Sequence, residues 1–190
     1  KLTDNNDEKN HFGTAVAINK DVLVVGAIEM QSVSGITTGG AYVFENIAGN
    51  WQQRCQLIPL NGKNKDRFGA SVSIDEQLIM VGARSANEVG TDSGFISLYQ
   101  FNDGQCDVLK NQWTASDTDS NDFFGKSVSV SDNLLLVGAN GTNESGERTG
   151  SAYLFKYAAQ TNEIKQVKKL MADDTAISGG FGAVVSVYEK

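Results

Sequence analysis

The residues of this chain that could do chemistry fall into a few short stretches, each to be weighed against what its chemistry requires. Gly125-Lys126-Ser127 has the ending of a phosphate-binding loop. Such a loop needs a glycine five residues before the Gly-Lys pair, and Ser120 stands there. Within Asp117-Thr118-Asp119-Ser120-Asn121-Asp122, the residues Asp117, Asp119 and Asn121 are spaced like the opening half of a calcium loop. Calcium wants about six to eight oxygens, and the glycine and glutamate that would finish the loop are replaced by Asp122 and Val128. The three are retained as a candidate calcium set; no other cofactor or metal is expected. His11 is the single histidine, so no Ser-His-Asp or Cys-His set can be assembled around it. Asp173-Asp174 lie at a turn, where solvation accounts for them. The expected number of catalytic residues is none.

Cys55 and Cys106 have no histidine or further cysteine at metal-ligand spacing. A disulfide between them and a pair of buried thiols are equally open readings. Asn140-Gly141-Thr142 and Asn143-Glu144-Ser145 are glycosylation acceptors in one loop, with Asn140 and Asn143 as the modified residues; one of the two is expected to carry a glycan. The formal net charge of −7 disfavours nucleic acid, whose phosphates call for a basic stripe. Lys165, Lys168 and Lys169 form the densest basic run, and a solvated strand face explains them. No apolar run reaches the roughly 18 residues of a membrane helix, so no membrane insertion is expected.

What positions these residues is a repeat. Phe-Gly recurs at Phe12-Gly13, Phe68-Gly69, Phe124-Gly125 and Phe181-Gly182, in steps of 56, 56 and 57 residues. Val-Gly-Ala begins 13 residues after each of the first three phenylalanines, which places Gly26, Gly82 and Gly138 at one phase. A third landmark follows at Gly40-Ala41-Tyr42-Val43-Phe44, Gly94-Phe95-Ile96-Ser97-Leu98-Tyr99 and Gly150-Ser151-Ala152-Tyr153-Leu154-Phe155. Punctuation at a fixed period means one supersecondary unit stacked on itself. The repeats run 12–67, 68–123 and 124–180, with partial copies at 1–11 and 181–190 of a single segment.

Each period divides into four strands. The first follows Phe-Gly and alternates small or polar with β-branched residues, as in Ala70-Ser71-Val72-Ser73-Ile74. A tight turn such as Asp75-Glu76-Gln77 leads to a second, nearly all-apolar strand (Leu78 to Val81), suited to burial on both faces. The third is the Gly-Ala-Tyr-Val-Phe segment. The fourth is more polar, about Trp51 to Leu57, Cys106 to Trp113 and Ile164 to Met171, as an outer edge should be. Helical periodicity is absent. The chain is expected to be all-β, built as β-propeller blades of four antiparallel strands. A lone sheet of this size buries too little to offset its ordering entropy, and stacking supplies the rest.

The order Phe-Gly, strand, Val-Gly-Ala, strand, Gly-Ala-Tyr-Val-Phe resembles the FG-GAP repeat of integrin α-subunit propellers. It is more similar still to secreted FG-GAP proteins of bacteria and unicellular eukaryotes, in which a Lys-Leu-Thr element like Lys1-Leu2-Thr3-Asp4 precedes the next Phe-Gly. The resemblance implies a blade architecture, usually seven-fold, placed outside the cell and used for binding rather than catalysis. Two departures stand out. The Asn19-Lys20-Asp21 turn and its equivalents are too short for the calcium loop of integrin-type repeats, and the proline common after Val-Gly-Ala is replaced by Ile28, Arg84 and Asn140. The chain holds about 3.4 repeat lengths, fewer than a closed ring needs, so it reads as part of a longer polypeptide or as a unit that self-associates into a ring or filament.

In such a blade the loops joining strands two to three and four to one share one face. They are the long, diverse ones here and carry Glu29, Arg84, Glu88, Asp92, Glu144, Glu147 and Arg148 as candidate ligand-face residues. The expected function is an extracellular or cell-surface adhesion module that binds a protein or glycan. A structural subunit of a filament or surface layer and an accessory domain of a secreted enzyme are the alternatives.

Overall fold

The computed structural model describes residues 10–144, 147–173 and 179–188; the side chains of residues 144 and 147 lie outside that description, as do Lys1-Leu2-Thr3-Asp4 and Ser145. The described residues form an all-β structure without helices, made of three sheets of four antiparallel strands. The first sheet is β1 (Phe12–Asn19), β2 (Val22–Ala27), β3 (Gly40–Ile47) and β4 (Asn50–Leu57), paired in that order. The second repeats it as β5 (Phe68–Asp75), β6 (Leu78–Ala83), β7 (Phe95–Asn102) and β8 (Gln105–Trp113). In the third, β9 (Ser127–Ser131), β10 (Leu134–Ala139), β13 (Ser151–Ala158) and β14 (Glu163–Leu170) pair in the same sequence-neighbour order. A small hairpin of β11 (Asn143–Glu144) and β12 (Glu147–Arg148), not foreseen from the sequence, stands in the third sheet's long loop.

These sheets are arranged as propeller blades. The innermost strands pack in series, β1 on β5 and β5 on β9, while the outer strands β4 and β8 meet only sparsely. The apolar second strands serve two neighbours at once. Ile79 and Val81 join a core with Val24 and Val43 of the first blade, whereas Met80 between them joins a core with Val128, Val130 and Leu135 of the third. Side chains alternate across a strand, so a strand sandwiched between blades must be apolar throughout. The inner strand reports the same thing by contrast. Val72 and Val128 are 9% and 8% exposed under a neighbouring blade, and Val16, at the same position on β1, is 60% exposed.

The repeat's two glycine landmarks meet between blades. The amides of Phe68, Phe124 and Phe181 donate to the carbonyls of Thr38, Ser93 and Thr149, each just before the preceding blade's third strand. The glycine that follows has φ of 89°, 83° and 81° at Gly69, Gly125 and Gly182. In that left-handed conformation its carbonyl lies against the bare Cα of Gly26, Gly82 and Gly138 respectively. Ser71 Oγ donates to the same Gly125 carbonyl at 2.8 Å, and Ser127 Oγ to that of Gly182 at 2.9 Å. The Val-Gly-Ala glycine of one repeat and the Phe-Gly glycine of the next are therefore two sides of one contact surface.

Of the two readings left open for the cysteines, the disulfide is the one formed. Cys55 on β4 is joined to Cys106 on β8, with Cα atoms 6.3 Å apart. The bond ties the outer strands of adjacent blades, where packing is thinnest.

Candidate functional site

Two clefts open between the second and third blades, on opposite faces. The larger, about 530 Å³, lies among the short turns between strands one and two and between strands three and four; Asp75, Glu76, Asp132, Asn133, Gln100 and Asn162 line it. Two of its acidic groups, Asp75 and Glu76, are already engaged in joining blades. Asp75 Oδ1 accepts from Asn19 Nδ2 at 3.0 Å and its Oδ2 from the Asp132 amide at 2.7 Å, while Glu76 pairs with Lys20 at 3.4 Å. Sequence reasoning passed over this cleft because two-residue turns carry no sign of a pocket.

The second cleft, about 440 Å³, lies on the face of the long loops. Asn64, Lys65 and Arg67 reach it from the loop after β4; Arg84, Asn87 and Thr91 come from the loop after β6, and Phe123 from the loop after β8. These loops are ordered by their own polar groups. Ser93 Oγ accepts from the amides of Glu88 and Val89, both at 3.2 Å, and Asn87 Oδ1 accepts from the Asp92 amide at 2.8 Å. The Asn121 and Phe123 amides donate to the Thr91 and Asp92 carbonyls at 2.7 and 3.0 Å, joining the walls.

Charge in this cleft runs against that of the whole chain. Burial pulls the Arg84 guanidinium below its ordinary value, the Arg67 charge pushes it the same way, and Asp92 opposes them. Burial and the Arg84 charge likewise lower the Lys126 ammonium. Among the described residues Lys65, Arg67, Arg84 and Lys126 make no ion pair with a carboxylate. Of these, only Arg84 stands among the ligand-face residues expected from the sequence. The densest basic run behaves as expected of a strand face: Lys165 and Lys168 are exposed on β14, and Lys169 pairs with Asp117 at 2.8 Å.

The remaining sequence candidates are dispersed. Glu29 faces the His11 ring, Oε2 to Nδ1 at 3.2 Å, and Glu88 lies 4.0 Å from Lys63 Nζ. Arg148 is exposed on β12. Of the candidate calcium set, Asp117 is occupied by Lys169, Asp119 Oδ1 accepts the Ser120 amide at 2.6 Å, and Asn121 takes a left-handed φ of 66°. Among the described residues no group of three or more His, Cys, Asp and Glu is placed to hold a metal ion. Asn143 is exposed, whereas Asn140 is half-buried and the Thr142 hydroxyl of its sequon donates to Ser151 Oγ at 2.7 Å.

A polar position that the sequence did not flag recurs two residues before each of the first three phenylalanines of the repeat. Asn10, Asp66 and Asp122 are 4%, 2% and 5% exposed. The side chains of Asp66 and Asp122 close the turn before Phe-Gly, accepting the Lys63 amide at 2.6 Å and the Asp119 amide at 2.8 Å. Burial raises both carboxyls above their ordinary value, against the lowering effect of those amide bonds. A raised carboxyl holds its proton in the fold after the unfolded chain has released it. Stability therefore falls as pH climbs through that window and is flat above it. Asn10 does without the charge, accepting from Phe12 N at 3.0 Å and donating to Tyr42 OH at 3.2 Å. Tyr153 occupies the register position of Tyr42, opposite the second-strand valine. Asp122→Asn should accordingly raise the thermal midpoint at pH 7, and the gain should vanish below about pH 4. A midpoint lowered equally at both pH values would show the carboxylate to be required.

A family model described as FG-GAP repeat matches residues 1–44, 51–99 and 110–155, three stretches across the three blades. No curated protein matches the chain.

Proposed function

This chain belongs to the FG-GAP repeat family, and on that premise we propose that it is a non-catalytic extracellular binding module whose ligand meets the face of the long loops. One observation carries this reading. The cleft on that face draws on three separate loops, and its cationic side chains are unspent, whereas Asp75 and Glu76 of the opposite cleft are committed to contacts between blades. Rigid sheets below and diverse loops above are the usual division between scaffold and recognition. The extracellular setting is supported by the Cys55–Cys106 disulfide, because reducing compartments keep such thiols apart. Exposed Asn143 fits the same setting as a glycan acceptor.

A second reading, a subunit of a filament or surface layer, draws on β1. Val16 and Ile18 are both 60% exposed there, while their counterparts Val72 and Ile74 are covered by a blade. Arrays of extracellular glycans and proteins test both readings. Arg84→Glu with Glu88→Lys should weaken retention at least about tenfold, while Glu76→Lys with Asp132→Lys on the opposite face should leave it unchanged. The reverse pattern would overturn the ligand face. Fibres in negative stain without any retained ligand would favour the structural subunit.

A further inference from the structure

We propose that the cleft between the second and third blades on the long-loop face binds an acidic saccharide, through the carboxylate or sulfate groups of its sugars. The proposal rests on the ligand-face reading above and names its ligand class. Three features converge on it. First, Lys65, Arg67 and Arg84 line the cleft without a carboxylate partner among the described residues, on a chain whose net charge is −7. Lys126, just before the third blade's first strand, lies within the positive field of Arg84. Asp92, the one carboxylate in the lining, offsets part of the charge at Arg84 and leaves three cations against one acid. That surplus is poised for an anion, and the planar guanidinium fork suits a carboxylate or sulfate in two-point contact.

Second, the remaining lining is that of a sugar site rather than a peptide groove. Asn64, Asn87 and Thr91 offer the amide and hydroxyl groups that pair with sugar hydroxyls. Phe123, half-buried at the wall, offers a ring on which the C–H face of a pyranose can rest. No aliphatic side chain lines the cleft to receive an apolar anchor of a peptide. Third, a volume of about 440 Å³ falls within the roughly 300–1,000 Å³ typical of small-ligand sites. Two of its cations are particular to this pair of blades. The position of Arg67 is held by His11 and Phe123 in the adjoining repeats, and that of Arg84 by Ile28 and Asn140.

Titration calorimetry on the whole chain decides the matter, with four probes: a hexameric oligogalacturonate, a sulfated dextran oligosaccharide, neutral dextran and a deca-glutamate peptide. One of the two acidic saccharides should bind saturably at one site, and which of them binds separates carboxylate from sulfate recognition. Neutral dextran should not bind, and affinity should fall as salt rises. Arg67→Gln and Arg84→Gln should each weaken binding at least about tenfold while the thermal midpoint stays within about 3 °C of the parent. Phe123→Leu should weaken the saccharide and leave any deca-glutamate binding unchanged. The proposal is overturned if neither acidic saccharide binds, if deca-glutamate binds as tightly, or if both arginine variants bind like the parent. Silent arginine variants beside array retention still lost in the Arg84→Glu, Glu88→Lys protein would reject the saccharide and keep the ligand face. Retention mapping to the opposite face would reject both.

Discussion

Gly82→Ala should cost about 3 kcal/mol of stability or more, against about 1 kcal/mol for Gly13→Ala, although both glycines occupy landmarks of the same repeat. The two substitutions separate steric from conformational cost. Gly82 lies outside the left-handed region, so alanine suffers no dihedral penalty there. Its methyl would fall instead on the Gly125 carbonyl oxygen and on Ser71 Oγ, which itself donates to that carbonyl at 2.8 Å. Backbone on one side and an inter-blade hydrogen bond on the other leave nothing that can swing away. Gly13 presents the opposite case, with φ of 91° and no atom of the described residues near its added methyl. Only the left-handed conformation opposes alanine at that position. For a chain of this size the predicted gap amounts to roughly 4–8 °C in thermal midpoint. Equal shifts for the two variants would mean that the glycine-to-carbonyl contact does not set the spacing of the repeat.

That contact also explains why so much of the fold was legible. A strand sandwiched by two blades must be apolar on both sides, as Leu78 to Val81 is, and Gly82 must lie where the Gly125 carbonyl arrives. Both demands write themselves into the sequence at every period. The cleft on the long-loop face leaves no such mark. Arg67, Arg84 and Lys126 each occupy a position that holds a different residue type in the neighbouring repeats, and Lys65, matched by Lys9 on one side, gives way to Asn121 on the other, so no periodicity announces the set. Only the juxtaposition of two blades gathers them into one patch. The basic run at 165–169 was the denser signal along the chain, yet β14 carries it on an outer strand and Lys169 is spent on Asp117. The buried Asp66 and Asp122 were hidden differently. Each looks like an ordinary turn residue until the fold shows its carboxyl beneath the loop that it closes.

The disulfide was illegible for a geometric reason that also makes its removal costly. Cys55 lies opposite Val43 and Cys106 opposite Phe101, so the two occupy different heights on their outer strands and different phases of the repeat. The bond therefore runs diagonally between β4 and β8, a relation that no comparison of equivalent positions reveals. These strands are where the blades spread apart and share least apolar surface, so the covalent link acts where packing is weakest. It spans 51 residues, nearly a whole repeat. In the chain-entropy treatment, closing a loop of that length removes about 4 kcal/mol of freedom from the unfolded state. Cys55→Ser with Cys106→Ser should therefore lower the thermal midpoint by roughly 8–16 °C, and reduction of the parent protein should reproduce the same shift. The loss should concentrate between the first two blades, because stability in a repeat array is set by nearest-neighbour interfaces. Hydrogen exchange should then quicken in β4 and β8 before it does in β13. If the serine variant melts within about 3 °C of the parent, the inner-strand and glycine contacts hold these blades together unaided, and the bond is not needed for stability.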